Sequence, residues 1–315
     1  MPKRSLVSPR DAVKTAELER QGRVWLLDCE IRQLSPNTIA LRRVELARFG
    51  RFLREEEFSH VDSTAARAFF IRLTEQQLRP ASIRNYWVDL HTFFGFLAEE
   101  GIVATNPIES VPRPKVPEDQ IRPFTEAQVK ALLVAAHQSR HPRRDEALVL
   151  FLVDTAARAS EVCGLRMKNL DLVNRRCEVL GKGNKRRLLP LSAPTTRALI
   201  RYIAEAEEER HPDSPVFLAE QGARMGEALA RHGLLEVIRR LAASAGVTGV
   251  RPSPHTLRHT AAVMFLRACG NVFALKQLLG HTELRMVNRY VALAQADLEA
   301  QHRAFSPVEH IRRAR

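Results

Sequence analysis

Five prolines, Pro107, Pro112, Pro114, Pro117 and Pro123, fall within seventeen residues and divide the chain. Proline removes a backbone donor and fixes φ, so this density cannot continue a helix and favours an extended path. Residues 107–122 are therefore expected to link two domains, and 315 residues suffice for two of ordinary size. With 45% hydrophobic residues, each can bury a core. The sequence has no apolar run of a length that would span a membrane, about eighteen residues, and Met1 to Arg10 lack the apolar segment of a secretory signal. A cytoplasmic protein without a membrane partner is the expectation.

Each flank has its own pattern. Residues 1–14 are polar, with Pro2 and Pro9, and read as a loose tail. Residues 15–106 read as a small all-helical domain. Ser35 is a helix N-cap and Pro36 suits the first turn. Ile39, Val44, Leu46, Phe49 and Leu53 then recur at helical spacing. A second helix is expected over Ser63–Gln77, and a third from Ala81–Ser82 carrying Tyr86, Leu90, Phe93, Phe94 and Leu97. These aromatics read as core rather than as base-stacking groups.

Beyond the linker, Thr125 caps another helix and helices dominate to the end. The exception is residues 176–191, where two short strands flank Gly181-Lys182-Gly183-Asn184 as a β-hairpin. Further helices are expected over Pro194–Arg210, Ala228–Ala245 and His255–Cys269. The fold class is thus mainly α, with a small antiparallel sheet in the second domain. Cys29, Cys163, Cys177 and Cys269 lack C-x-x-C spacing, so they read as small core residues and not as a zinc site.

The chain carries 49 Lys plus Arg against 36 Asp plus Glu, a net charge of +13. Such a chain attracts polyanions, nucleic acid foremost, although a genome rich in arginine codons gives the same excess. Within the linker, Arg113 and Lys115 could lie along a phosphate backbone or be solvated.

Four segments hold chemistry: Thr155 to Leu165 with Arg158 and Glu161; Gly181 to Lys185 with Lys182; His255-Thr256-Leu257-Arg258-His259; and Leu278-Leu279-Gly280-His281 to Arg289-Tyr290. Singly, each has a plain reading. Arg158 and Glu161 are an i,i+3 ion pair, a lysine in a glycine-rich turn is solvated, and a late tyrosine is core. Together they supply what metal-free phosphodiester cleavage needs. Two guanidiniums can stabilise the charge on the non-bridging oxygens. A flexible lysine can protonate the leaving oxygen. A phenol with an intrinsic pKa of about 10 gains from a histidine base. No carboxylate cluster suited to Mg²⁺ accompanies them, so neither metal nor cofactor is expected. Nine residues on one helix would set His281 and Tyr290 on opposite faces. A helix break between them is therefore expected, with Gly280 beside it.

These segments resemble the tyrosine recombinases, the phage integrase family, especially its compact bacterial Xer-like members. The family's Thr-Gly-Leu-Arg-x-x-Glu-Leu appears as Thr-Ala-Ala-Arg-x-x-Glu-Val, giving Arg158 and Glu161. Its hairpin lysine falls on Lys182, its His-x-x-Arg-His box on His255 and Arg258, its Leu-Gly-His on His281, and its nucleophile on Tyr290. Lys185 and His259 are the alternatives within the same motifs, read as a phosphate or solvent contact and a packed structural histidine. Ala156 and Ala157 replace Gly-Leu, and two good helix formers there suggest a more regular helix leading into Arg158.

The resemblance implies an N-terminal core-binding, SAM-like domain over 15–106, a catalytic domain over 123–291, and a subunit-docking tail over 292–315. It implies that Arg158 and Arg258 grip the scissile phosphate, with Lys182 as general acid. His255 takes or relays the tyrosine proton, His281 positions the phosphate, and Glu161 orders its neighbours. The partners it implies are duplex DNA bearing a specific recombination site and three further copies in a homo-tetramer. A type IB topoisomerase-like enzyme and an inactive integrase-derived DNA-binding protein are the competing readings.

Overall fold

The structure, a computed structural model, describes residues 13–117, 122–181, 186–205, 210–220, 225–268, 270–280 and 285–294, with residues 302 and 308. It divides into two compact units, Met1–Asp119 and Gln120–Arg315. Among the described residues no helix is long and apolar enough to cross a membrane.

In the first unit, α1 (Thr15–Ile31), α2 (Pro36–Glu55), α3 (Ser63–Glu75) and α4 (Pro80–Glu99) share one core. Ser35 Oγ accepts from the Thr38 amide at 3.2 Å, and Pro36 occupies the first turn. Asp62 caps α3 in the same way, accepting from Thr64 and Ala65. Trp25, Phe49, Phe69, Phe93 and Phe94 are fully buried, so these aromatics are spent on packing. Val44 departs from the sequence reading and is 62% exposed. The buried face of α2 keeps Ile39, Phe49 and Leu53 and adds Phe52, with Glu45 inside in place of Val44.

Both boundaries of this unit move. The two-residue strand β1 (Val13–Lys14) pairs antiparallel with β2 (His60–Val61), with Val13 opposite Val61 and both buried. The loose tail therefore does not reach Lys14; strands this short leave no periodicity to read. At the other end Pro107–Ser110 form a 3₁₀ turn rather than an extended linker. Asn106 starts it, accepting from the Ile108 amide at 3.0 Å and donating to the His91 carbonyl at 2.9 Å. Ile108 and Val111 then bury in the core, and Trp87 donates to the Val111 carbonyl. Arg113 lies over the Trp87 ring at 5.6 Å, exposed like Lys115.

Glu45 is buried in this core beside Asp89, which pairs with Arg42 at 3.2 Å. Burial, and then Asp89, push the Glu45 carboxyl up to about 8. The native state thus binds a proton that the unfolded chain releases near the usual carboxylate value. This contribution to stability is complete below about 4.3 and is lost as pH rises through about 8. Between pH 5 and 8 the melting temperature should fall in the wild type and fall less in Glu45→Gln, as thermal melts followed by circular dichroism would read. Parallel curves would mean that Glu45 does not set this slope.

The second unit begins with α5 (Glu126–His137), whose capping box joins Thr125 and Gln128, and α6 (Pro142–Thr155). α7 (Ala159–Gly164) leads into an antiparallel sheet ordered β3 (Leu170–Asp171), β4 (Arg176–Leu180), β5 (Arg186–Pro190). The hairpin stands where the sequence places it, with Cys177 opposite Leu189; β3 is an addition. α8 (Ala193–Ile203) stops short of Arg210, and α9 (Arg231–Ser244) starts after Ala228, which bridges Leu218 in extended form. α10 (Pro254–Arg267), α11 (Val272–Leu279) and α12 (Arg285–Ala294) complete the described elements.

Two apolar clusters fill this unit. One joins α5, α6, α8, α9 and the sheet around Phe151, Phe217 and Leu241. The other joins α10, α11 and α12 around Ala262, Leu275, Val287 and Tyr290. α10 borders both, with Leu257 in the first and Ala261 in the second. The docking tail expected from residue 292 does not start there. Ala294 is buried in the second cluster and Leu293 packs on it, because α12 keeps the Val287, Tyr290, Ala294 face in helical register. Cys29 and Cys177 are buried and Cys163 half-buried; Cys269 lies outside the described residues.

Candidate active site

Arg158 does not enter from a regular helix. α6 ends at Thr155, and Ala156 takes the left-handed conformation at φ 51° and ψ 28°. Thr155 Oγ1 accepts from the Ala157 amide at 3.2 Å, which fixes the turn. Arg158 is extended and stands at the N-cap of α7. The helix therefore breaks despite its two alanines, and helix propensity yields to tertiary packing. Ala156 holds a conformation that costs a non-glycine residue on the order of 1 kcal/mol.

The carboxylate of Glu161 ties Arg158 to the sheet. It is 2% exposed and accepts from the Arg158 amide at 2.7 Å and from Arg158 Nη1 at 3.0 Å. Arg187, on β5, grips both of its oxygens, with Nη2 to Oε2 at 2.7 Å. Burial alone would raise this carboxyl, but the hydrogen bonds from Arg187 and Arg158 outweigh it and hold it below the usual value.

Three guanidiniums from distant segments meet the C-terminal end of α11. Arg187 Nε donates to the Leu278 carbonyl at 3.2 Å, Arg258 Nη2 to Leu279 at 2.7 Å, and Arg158 Nη2 to Gly280 at 3.4 Å. A helix end presents unpaired carbonyls and a negative partial charge, so cations gather there. Gly280 closes the helix at φ 61°, and a Cβ there would stand 3.0 Å from Arg187 Nη1. The backbone angle favours glycine, and any side chain there would push against the Arg187 guanidinium. Arg258 also donates to the Ala156 carbonyl at 2.6 Å and is 3% exposed. Burial first, and the nearby Arg158 cation second, depress its guanidinium to about 10, which leaves it charged at neutral pH.

Tyr290, on α12, is fully buried in the second cluster. Its Oη lies 2.7 Å from His259 Nδ1, in hydrogen-bond contact. The exposed His255 sets its ring edge-on to His259, with centroids 4.2 Å apart. α11 ends at Leu279 and α12 begins at Arg285, so Tyr290 is not on the helix that precedes Gly280. Lys182, Lys185 and His281 lie outside the described residues.

The structure thus brings together Arg158, Glu161 and Arg258 at one helix end, and His255 and Tyr290 around His259. Arg113 and Lys115 belong to the other unit. Sequence reasoning misses two residues. It reads His259 as a packing residue, yet this histidine is both buried and bonded to the tyrosine hydroxyl. Arg187 pairs with Val179 in the hairpin register, on the face that buries Cys177, Val179 and Leu189. An arginine on the apolar face of a hairpin is the signal that could have found it.

Known proteins resemble both units. The phage integrase family matches residues 122–297, and its N-terminal SAM-like domain matches residues 29–101. A tyrosine recombinase XerC of Roseiflexus sp. (strain RS-1) is 31% identical over 275 residues, covering 84% of this chain and 86% of that protein. A tyrosine recombinase XerD of Shewanella oneidensis is 28% identical, covering 87% and 92%. Among solved structures, the XerH recombinase bound to palindromic difH substrate aligns at a TM-score of 0.70 and 19% identity, covering 94% of this chain and 85% of that one. The Tn1549 transposon integrase in complex with circular intermediate DNA aligns at 0.68 and 20% identity, covering 88% and 94%. These likenesses show a shared fold, and the family matches reach through both units. The chain belongs to the phage integrase family, the tyrosine recombinases.

Proposed function

We propose that this chain is a site-specific recombinase that cuts duplex DNA through a 3′-phosphotyrosine link on Tyr290 and rejoins it through a Holliday junction. The observation that carries this is the convergence of Arg158 and Arg258 on successive carbonyls at the end of α11. Two fixed cations, held by backbone and by Glu161, are preorganised for the charge of a pentacoordinate phosphate transition state. Tyr290 supplies the nucleophile, and its proton leaves through the histidines of α10. Lys182 protonates the 5′ oxygen, and His281 hydrogen-bonds the phosphate. Since Tyr290 is enclosed in the free chain, DNA entry has to open the hydroxyl side while the ring keeps its apolar seat. The phosphotyrosine preserves the bond energy, so rejoining needs no ATP.

The proposal extends to the partners. XerH and the Tn1549 integrase are described bound to DNA. Here the helical domain of 15–106 would grip the site, with Arg113, Lys115 and Lys185 on phosphates. Four copies would act on two sites, joined by the chain beyond Ala294.

The test is covalent trapping. Purified protein is incubated with nicked fragments of its source genome in EDTA, and protein–DNA adducts are recovered and sequenced. Because charge stabilisation is assigned to guanidiniums, adducts should form without divalent metal and be enriched in one sequence. A strict need for a metal ion, or adducts without sequence preference, would overturn this reading.

A further inference from the structure

We infer that His259 is a catalytic residue, the group that binds the Tyr290 hydroxyl and accepts its proton during attack. The inference rests on the recombinase reading and deepens it. The motif resemblance gives the proton to His255, but among the described residues it is His259 Nδ1 that lies in hydrogen-bond contact with the phenol, at 2.7 Å. His259 is also the enclosed member of the pair, 7% exposed, whereas His255 lies on the exposed side. Its position is over-determined. It sits on the same turn of α10 as Arg258, which two backbone carbonyls hold, and the ring is packed between His255 and Tyr290, with centroids 5.4 Å from the latter. A proton acceptor has to lie within hydrogen-bond reach of the proton it takes, and geometry comes before basicity.

In the Nε2–H tautomer, Nδ1 carries the lone pair that faces Tyr290 Oη. As the Oη–P bond forms and the P–O5′ bond breaks, the phenol proton passes to Nδ1. The leaving 5′ oxygen takes its proton from Lys182. On rejoining, the O5′–P bond forms as the Oη–P bond breaks; the attacking 5′-hydroxyl gives its proton to Lys182 and His259 returns its own to Tyr290, so both groups end each round as they began. His255 then serves from the exposed side, against the ring of His259 or the incoming phosphate.

Three tyrosines occur in the chain, which makes the hydroxyl observable. The full chain is labelled with 3-fluorotyrosine, and Tyr290→Phe assigns its ¹⁹F signal. His259→Phe should shift the Tyr290 resonance in the DNA-free protein, while Tyr86 and Tyr202 report that both units are folded. Single-turnover cleavage is then measured on a nicked duplex carrying the sequence enriched in wild-type adducts. His259→Phe should cut about 10²-fold more slowly at unchanged site affinity. His259→Gln keeps a hydrogen-bond acceptor but cannot take the proton, so it should stay slow. An unmoved Tyr290 resonance in His259→Phe would overturn the inference. So would full activity in His259→Gln, which would mean positioning only, or faster cleavage in His259→Phe, which would make the contact a latch. If the recombinase reading itself failed, the wild type would form no site-enriched adduct, an outcome separate from all of these.

Discussion

Tyr290→Phe should bind its site and leave no covalent adduct. The change removes one oxygen and keeps the ring in the cluster formed with Ala262, Leu275 and Val287. The phenylalanine can fill the same space, so both units stay folded and the surfaces that meet DNA are untouched. The hydroxyl's contact with His259 is lost, at a stability cost of about 1 kcal/mol. In the proposed mechanism, catalysis depends on that oxygen altogether. Removing a covalent nucleophile typically costs at least about 10³-fold in turnover. Adduct formation on a nicked substrate measures the effect, with a band-shift titration as the control for binding. Adducts at wild-type levels would remove Tyr290 from the mechanism.

How far the sequence disclosed this site depended on the range of each signal. Ser35 and Thr125 cap their helices through amides three residues away, and local signals of that kind survive reading in one dimension. The hairpin was legible for the same reason, with strand alternation on both sides of a Gly/Asn turn. Arg158, Glu161, Arg258 and Tyr290 were legible as residue types in family spacing. Their mutual arrangement was not. The Leu278, Leu279 and Gly280 carbonyls are spread along one helix end, while the guanidiniums that reach them come from three distant segments. Ala156 misled because propensity favours a helix there. The Arg258 bond to its carbonyl and the fully enclosed methyl hold it left-handed instead. Val13 and Ile108 misled for a related reason: each lies in a polar or proline-rich stretch, and only the assembled core shows what it buries.

Glu161→Ala should damage stability and chemistry together, and more than removal of any surface charge. The carboxylate is enclosed, and two guanidiniums converge on it. Without it, Arg187 keeps its bond to the Leu278 carbonyl but loses its counter-ion in a site where its own side chain is 15% exposed. Breaking a buried ion pair from one side leaves a desolvated charge, at a cost on the order of 3 kcal/mol. The amide of Arg158 loses its acceptor as well, so the N-cap of α7 loosens. Arg158 would then no longer be aimed at the end of α11, and cleavage should fall by about 10²-fold, the typical cost of one displaced transition-state donor. Glu161→Gln separates the effects. It can still accept from one arginine but carries no charge, so it should fold better than the alanine and cleave less well than the wild type. The acid side supplies a further check. The native carboxyl is held below its usual value, so its stabilisation is present above the unfolded value and is lost as pH falls through the depressed native one. Acid unfolding of the wild type should therefore include a loss below about 4 that Glu161→Gln does not share. Urea melts at neutral and acid pH, alongside single-turnover cleavage, would measure all three. Wild-type stability and rate in Glu161→Ala would mean that Arg158 and Arg187 are held by the helix end alone.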